Sequence, residues 1–385
     1  MKIISVVGAR PNFMKIAPFI HTIEDYNKNY PFDGIEHILV HTGQHYDDRM
    51  SKVFFESLKI PDADIHLDIG SGTHAEQVGN TMIAFEKVLK EEKPDWVVVV
   101  GDVNATLACS VTAKKERIKV CHIEAGLRSG DIDMPEEVNR LVTDSISDLL
   151  LTPDLLSSDN LKKEGMSKEK IHFVGNIMID TLEANRNKSS KLDVIQIVSD
   201  NLLDNLQSKP KSIGQFSIAT IHRPSNVDKK EILQRIVDFL LDDVCSNELL
   251  IWPIHPRTKK QLQKFGLWEK VKSNKNLVLL HPLNYHDMLK LNMETSVMLT
   301  DSGGLQEECC VLGTPCVTLR NNTERPSTLR ENGGASVLVG SSITKIRKEY
   351  KYASKSIRNP KRPELWDGHT AKRILGIILS EMKEN

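Results

Sequence analysis

Apolar residues fall into short runs along this chain, and each run ends in glycine, proline or a polar side chain. In the first half the runs read KIISVVG, HILVHTG, WVVVVGD, KVCHIEAG, LLLTP and IHFVG. Between them the apolar spacing widens to that of a helix, as in residues 75–91, AEQVGNTMIAFEKVLKE. Continuous apolar strands separated by amphipathic helices predict a parallel, doubly wound α/β sheet covered on both faces. A second series, FSIATIH, LLIWPIHP, LVLLHP, SVMLTDSGG and PCVTLR, predicts another such sheet. The stretch 185–214 is polar and weakly periodic, so it begins the second domain instead of extending the first sheet. The expected partition is residues 1–177, residues 178–367, and a closing segment 368–385 whose helix packs back on the first domain.

The chain has 385 residues, more than one ordinary core holds, in agreement with two domains. With 39% hydrophobic and 27% charged residues, its profile is that of a soluble globular protein. Lys plus Arg number 51 and Asp plus Glu 52, a net charge of −1 that points to neither nucleic acid nor an anionic membrane. An anionic ligand must then be held by a local site. The opening run, Ile3 to Val7, is too short for a signal peptide, and no apolar stretch approaches membrane-spanning length, so a cytoplasmic protein is expected. The six cysteines show no CxxC spacing and read as reduced thiols of the core.

Ligands of doubly wound sheets bind beyond the strand C-termini, and two such domains place a cleft between them. The residues just after each strand therefore carry the chemistry. After the first strand, GARPNFMK sets Arg10 and Lys15 around a helix start, an anion site in outline, although surface charges read the same way. Asp102 follows the third run and is either a helix cap or a catalytic carboxylate. Glu124 ends an apolar run and needs a partner or a raised pKa; Arg128 is the nearest partner in sequence. In DMPEEVNRLVTD, Pro135 suits the first position of a helix. Glu136 and Arg140 then share a face, as a salt bridge or a functional pair, with Val138, Leu141 and Val142 turned to the core. Asp102, Glu124 and Glu136 at adjacent strand ends would converge, and crowded carboxylates suit acid/base work.

In the second half, His222 and Arg223 follow one strand, and His255 and Arg257 another. Each histidine is a proton carrier, a phosphate ligand or an ordinary structural residue. The sharpest local signal is SVMLTDSGGLQEECC. An apolar strand runs into Asp301, Ser302, Gly303 and Gly304, where a phosphate can approach bare backbone at a helix N-terminus. Glu307 or Glu308 lies one turn on, within reach of ribose hydroxyls, and Arg325 in TERP is a candidate pyrophosphate cation.

Taken together, GARPNFMKIAP, HTGQHYDDRM, VVVVGDVNATLA, HIEAGLRSGDIDMPEEVNR, HR, HPR and TDSGGLQEE resemble non-hydrolysing UDP-N-acetylglucosamine 2-epimerases, in that family's order, from residue 1 to about residue 330. The resemblance implies two Rossmann-like domains of glycosyltransferase-B type facing a central cleft, and a homodimer. It implies catalytic roles for Asp102, Glu124, Glu136 and His222, with Arg140 as a further active-site position. It implies UDP binding by Arg10, Lys15, His255, Ser302, Glu308 and Arg325, with Gly303 and Gly304 in the phosphate loop. The implied reaction removes the C2 proton, expels UDP to give 2-acetamidoglucal, and returns proton and UDP with C2 inverted. It requires no metal and no cofactor.

The chain also departs from that pattern. Ala9 stands where Thr is common, and the loop from Arg128 to Pro135 is two residues shorter than in many members. HRPSN keeps only Asn226 of the usual sequence after HR. Many members have a regulatory UDP-GlcNAc site, matched here by Gln44, His45 and Gln77. Its Arg-Gln pair reads Glu76-Gln77, and Asp47 adds a second acidic change, so effector activation is expected to be lost. Competing readings are a 2-epimerase of UDP-2,3-diacetamido-glucuronate, a hydrolysing 2-epimerase, and a glycosyltransferase or UDP-sugar-binding protein of the same fold. The last pair has no need of clustered carboxylates in the first domain.

Overall fold

The structure, a computed structural model, describes residues 1–8, 10–43, 60–203 and 212–383. Its strands are β1 (Lys2–Val7), β2 (Glu36–His41), β3 (Ile65–His66), β4 (Trp96–Val100), β5 (Lys119–Ile123), β6 (Leu149–Thr152), β7 (Ile171–Phe173), β8 (Phe216–Thr220), β9 (Leu249–Pro253), β10 (Leu277–Leu280), β11 (Met298–Thr300), β12 (Cys316–Thr318) and β13 (Ser336–Leu338). They form a seven-stranded sheet, β3-β2-β1-β4-β5-β6-β7, and a six-stranded sheet, β10-β9-β8-β11-β12-β13, with every pairing parallel. These are two Rossmann-like doubly wound units.

All five side chains of β4 are buried, as a strand covered on both faces requires. Two edge strands escaped the sequence pattern. β3 has two residues, fewer than any apolar run, and β13 has three, Ser336–Leu338. The helix expected over 75–91 spans His74–Glu92. Its start is a capping box: Glu76 N–H donates to Thr73 Oγ1 at 3.2 Å, and Thr73 N–H donates to Glu76 Oε2 at 2.9 Å. The cap accounts for Glu76 without reference to any effector. All six cysteines are free and buried. Among the described residues no helix is long and apolar enough to cross a membrane.

Chain contacts divide the molecule into Met1–Ala184 with Pro363–Asn385, and Asn185–Arg362. The first boundary thus lies inside the Ile177–Ser190 helix, seven residues later than the sequence reading placed it. The boundary falls where the polar, weakly periodic stretch 185–214 begins, not at the helix start. Packing holds the helix start in the first unit: Met178, Ile179 and Leu182 are buried, and Thr181 Oγ1 donates to the Met14 carbonyl. Asp180 accepts from the Thr370 and Ala371 N–H groups at 3.1 and 2.8 Å, capping the Thr370–Lys383 helix. Residues 363–367 also return to the first unit. Buried Trp366 anchors them there, its Nε1 donating to the Pro153 carbonyl at 2.9 Å.

Candidate active site

In the first unit the sheet reverses its winding between β1 and β4, so the loops after those strands diverge and leave a crevice. Asn12 ties the two loops together. It accepts from Gly8 N–H at 3.3 Å and donates to the Val100 carbonyl at 2.8 Å. Lys15, on the same helix, is 6% exposed and ion-paired with Glu124, itself 3% exposed. Gly101 stands beside the pair at φ +71°; a Cβ there would lie 3.2 Å from Lys15 Nζ and 3.5 Å from Glu124 Oε2. Glu124 also has φ +71°, a left-handed conformation that disfavours any side chain. Its second oxygen, Oε1, is buried and accepts no hydrogen bond among the described residues.

Arg128, one possible partner for Glu124 in the sequence, is engaged elsewhere. Gly126 turns the chain at φ +81°, and Arg128 pairs with Asp144 at 2.7 Å and with Glu164 at 2.6 Å. Sequence proximity had suggested Arg128; the true partner is 109 residues away.

The Pro135–Ile146 helix forms where expected but presents the opposite face. Its buried residues are Glu137, Asn139, Arg140, Thr143 and Asp144, while Val138 is 42% exposed. Amphipathic spacing located the helix and misassigned its inner side, because here the polar face covers a polar site. Arg140 is not paired with Glu136. It is 1% exposed and holds Glu137, with Nε donating to Oε2 at 2.9 Å, and Asp102 through Nη1. Asn139 donates to the Asp102 carbonyl at 2.8 Å. Asp102 is no helix cap: Val103 takes that position. The carboxylate of Asp102 is instead held by Arg140, a quarter of its surface exposed. Glu136 is half-buried at the helix start; among the described residues Asp102 and Glu124 are each held by a cation, and no ion pair involves Glu136. Gln77 joins this network through Asn104, whose Nδ2 donates to Gln77 Oε1 at 2.8 Å. Gln44, His45 and the side chain of Arg10 lie outside the described residues.

In the second unit the winding reverses between β8 and β11. His222 follows one strand and Asp301 the other. Asp301 is fully buried and accepts from the N–H groups of His222 and Arg223 at 2.9 and 2.8 Å and from Asn226 Nδ2 at 3.0 Å. Its other oxygen meets His222 Nδ1 at 2.8 Å. Burial pushes the carboxyl upward, but His222 and these donors hold it below the usual range. Nδ1 is thereby assigned as the donor, and Nε2 of the 40% exposed ring is left for a substrate. The sequence reading placed Asp301 in a phosphate loop and missed it as the orienting partner of His222. Only the sheet order makes those strand ends neighbours. His255 caps the Pro256–Lys264 helix, and its ring lies 5.3 Å from that of His222.

Ser302 precedes the Gly303–Leu312 helix and spends no side-chain bond on capping it. A Cβ on Gly304 would meet nothing within 4 Å, so that backbone is open to a bulky anion. Gly303 is close-packed: a Cβ there would lie 2.8 Å from both Arg325 and Glu324. Arg325 pairs with Glu307 at 2.7 Å and with Glu324, which Arg320 also holds at 2.6 Å. Two cations and two carboxylates cancel, so Arg325 supplies directed N–H donors to this loop more than net charge.

Glu308 lies in the same Gly303–Leu312 helix. It is fully enclosed, and Asn292 Nδ2 donates to it at 3.4 Å. Burial, seconded by the Glu307 carboxylate, pushes its carboxyl up to about 7, against the Asn292 bond. Below pH 4.5 the folded and unfolded chains both keep this proton, and the residue does not affect pH dependence. Between 4.5 and about 7 the unfolded chain releases it first, so stability falls as pH rises. The Glu308→Gln variant should therefore be more stable than wild type at pH 8, by up to about 3 kcal/mol, and equal to it at pH 4. Denaturant titrations at both values check this; parallel pH profiles would contradict it.

A family model described as UDP-N-acetylglucosamine 2-epimerase matches residues 30–379. The UDP-N-acetylglucosamine 2-epimerase of Methanocaldococcus jannaschii is 41% identical over 379 residues, 98% of this chain and 99% of that one. The crystal structure of the UDP-GlcNAc 2-epimerase from that organism, in complex with UDP-GlcNAc and UDP, matches with a TM-score of 0.87 at 40% identity, covering 99% of this chain and 100% of that one. A UDP-2,3-diacetamido-2,3-dideoxy-D-glucuronate 2-epimerase of Pseudomonas aeruginosa is 38% identical over 347 residues, 88% of each chain.

Proposed function

The chain belongs to the UDP-N-acetylglucosamine 2-epimerase family, and from that premise we propose that it interconverts UDP-GlcNAc and UDP-ManNAc without hydrolysing them. The observation that carries the reading is Glu124. A carboxylate held in a left-handed turn, anchored through one oxygen by buried Lys15 and with no hydrogen bond to the other among the described residues, is an acceptor fixed in place before substrate arrives.

The reaction has two bond changes to manage. A carboxylate takes the C2 proton, and the C2–H electron pair becomes the C1–C2 double bond as UDP leaves with the C1–O pair. The product of this half is 2-acetamidoglucal. Return of a proton to the other face of C2, with UDP re-adding at C1, completes inversion. The C2 proton is barely acidic, so stabilising the departing UDP supplies much of the rate. Ser302, the open backbone at Gly304, His255 and the Arg325 donors suit a pyrophosphate. His222 Nε2 and the carboxylates Asp102, Glu124 and Glu136 suit the proton transfers, with Arg140 fixing Asp102. We assign the enzyme to the cytoplasm as a homodimer supplying cell-surface polysaccharide precursors. Ile83, Ile132 and Val138, each more than 40% exposed, give the first unit apolar surface for a partner copy.

The same residues suit the diacetamido-glucuronate reaction of the Pseudomonas relative, whose identity is only slightly lower. One experiment covers both. Purified protein is incubated in D2O with each UDP-sugar and followed by NMR. UDP-GlcNAc should give UDP-ManNAc carrying deuterium at C2. Inversion without deuterium would rule out proton transfer, and accumulation of free ManNAc would identify a hydrolysing enzyme.

A further inference from the structure

After Lys119, β5 is apolar with one exception. Val120, Cys121 and Ile123 are buried hydrophobics, and His122 among them is 0% exposed. A histidine in that place must be desolvated, and its partner, Asp144, is 1% exposed as well. Apolar side chains of the same volume commonly serve stability as well or better in such positions. The bonds of the pair show what it holds instead.

His122 Nδ1 lies 2.6 Å from Asp144 Oδ1, and Nε2 lies 2.9 Å from the Gly101 carbonyl, the peptide that leads into Asp102. The second oxygen of Asp144 accepts from Gly126 N–H at 3.0 Å and from Arg128 at 2.7 Å. His122 and Gly126 stand two residues before and two residues after Glu124. One carboxylate thus fastens both sides of the strained Glu124 turn and, through the imidazole, the turn that presents Asp102. The neighbouring geometry leaves little slack. Gly101, Glu124 and Gly126 all have positive φ, and a Cβ on Gly126 would stand 2.3 Å from the Ser157 carbonyl. Left-handed residues persist only where their surroundings over-determine them. His122 and Arg128 together hold the Asp144 carboxyl below its usual range against the effect of burial, consistent with a charged, fully engaged bracket.

We infer that His122 and Asp144 are positioning residues that set the Glu124 and Asp102 turns in register, so that turnover depends on a buried pair that touches no substrate. The inference rests on the proposed reaction only for its kinetic readout.

Three variants test it. His122→Gln retains an amide donor near the Nε2 position, within reach of the Gly101 carbonyl. His122→Asn retains a donor only toward Asp144. His122→Leu removes both. Expected is a kcat lower by about 10- to 100-fold in His122→Asn and His122→Leu, with KM changed less than about threefold, and recovery of most of the loss in His122→Gln. Equal kcat in the Gln and Asn variants, or a kcat near wild type in His122→Leu, overturns the inference. If His122→Leu does not fold, the Gln and Asn comparison decides. If wild-type protein fails to turn over UDP-GlcNAc, the proposed function fails instead, and amide hydrogen exchange decides this one. Peptides covering residues 100–103 and 122–128 should then exchange faster in His122→Asn than in wild type, and unchanged exchange overturns the inference.

Discussion

The Glu124→Gln variant should lose at least about 100-fold in turnover, the usual cost of removing a group that moves a proton or holds charge in the transition state. It should also lose about 3 kcal/mol of stability, for a separate reason. Lys15 is buried with Glu124 as its counter-ion, and removing one member of a buried pair leaves the other charge uncompensated. The two effects separate in the double variant Lys15→Met/Glu124→Gln, which should regain most of the stability and none of the activity. Urea titration and initial rates on the same preparations give both numbers. Turnover of Glu124→Gln within threefold of wild type would remove Glu124 from the mechanism, whatever its stability.

Asp301→Asn is the second large effect. The native carboxylate accepts three hydrogen bonds at Oδ2, from the N–H groups of His222, Arg223 and Asn226, and its Oδ1 lies 2.8 Å from His222 Nδ1. An amide presents one acceptor oxygen and an NH2 group, and that NH2 must face a donor. The His222 ring then loses its orientation, its tautomer, or both. Turnover should fall by about 100-fold or more, close to the loss in His222→Ala. The combined Asp301→Asn/His222→Ala variant should be no slower than His222→Ala alone, since the carboxylate acts through the ring. Additive losses would show that Asp301 has a role of its own.

Much of this arrangement was legible before any coordinates. β1, β4, β5, β8 and β11 were readable as apolar runs, and the polar residue after each was the one to examine. Asp102, Glu124, His222 and Ser302 all lie at such ends. Which residue holds which was not legible. Lys15 and Glu124 are 109 positions apart, and Asp301 and the His222 N–H are 79 apart. No local pattern records those distances; only the winding order does, by making β1, β4 and β5, or β8 and β11, neighbours. The Pro135–Ile146 helix failed for a different reason. Periodicity separates apolar from polar sides, and the inference that the apolar side is buried assumes an apolar neighbour. Around Asp102 the neighbour is a carboxylate and a set of turn amides, so Glu137, Asn139, Arg140 and Asp144 go inward. Buried His122 offered a hint, a titratable residue within the apolar part of its strand.

That helix has a consequence for how the protein can change. The usual route to a more robust protein fills the interior with larger or better-packed hydrocarbon. Along this helix the interior positions are already committed to ions and amides that hold the active-site turns. Gains in robustness at those positions come at the expense of activity, while an outward position such as exposed Ser145 carries no such commitment. Adaptation to heat or cold should therefore accumulate on the outer side of the helix and leave its inner side unaltered.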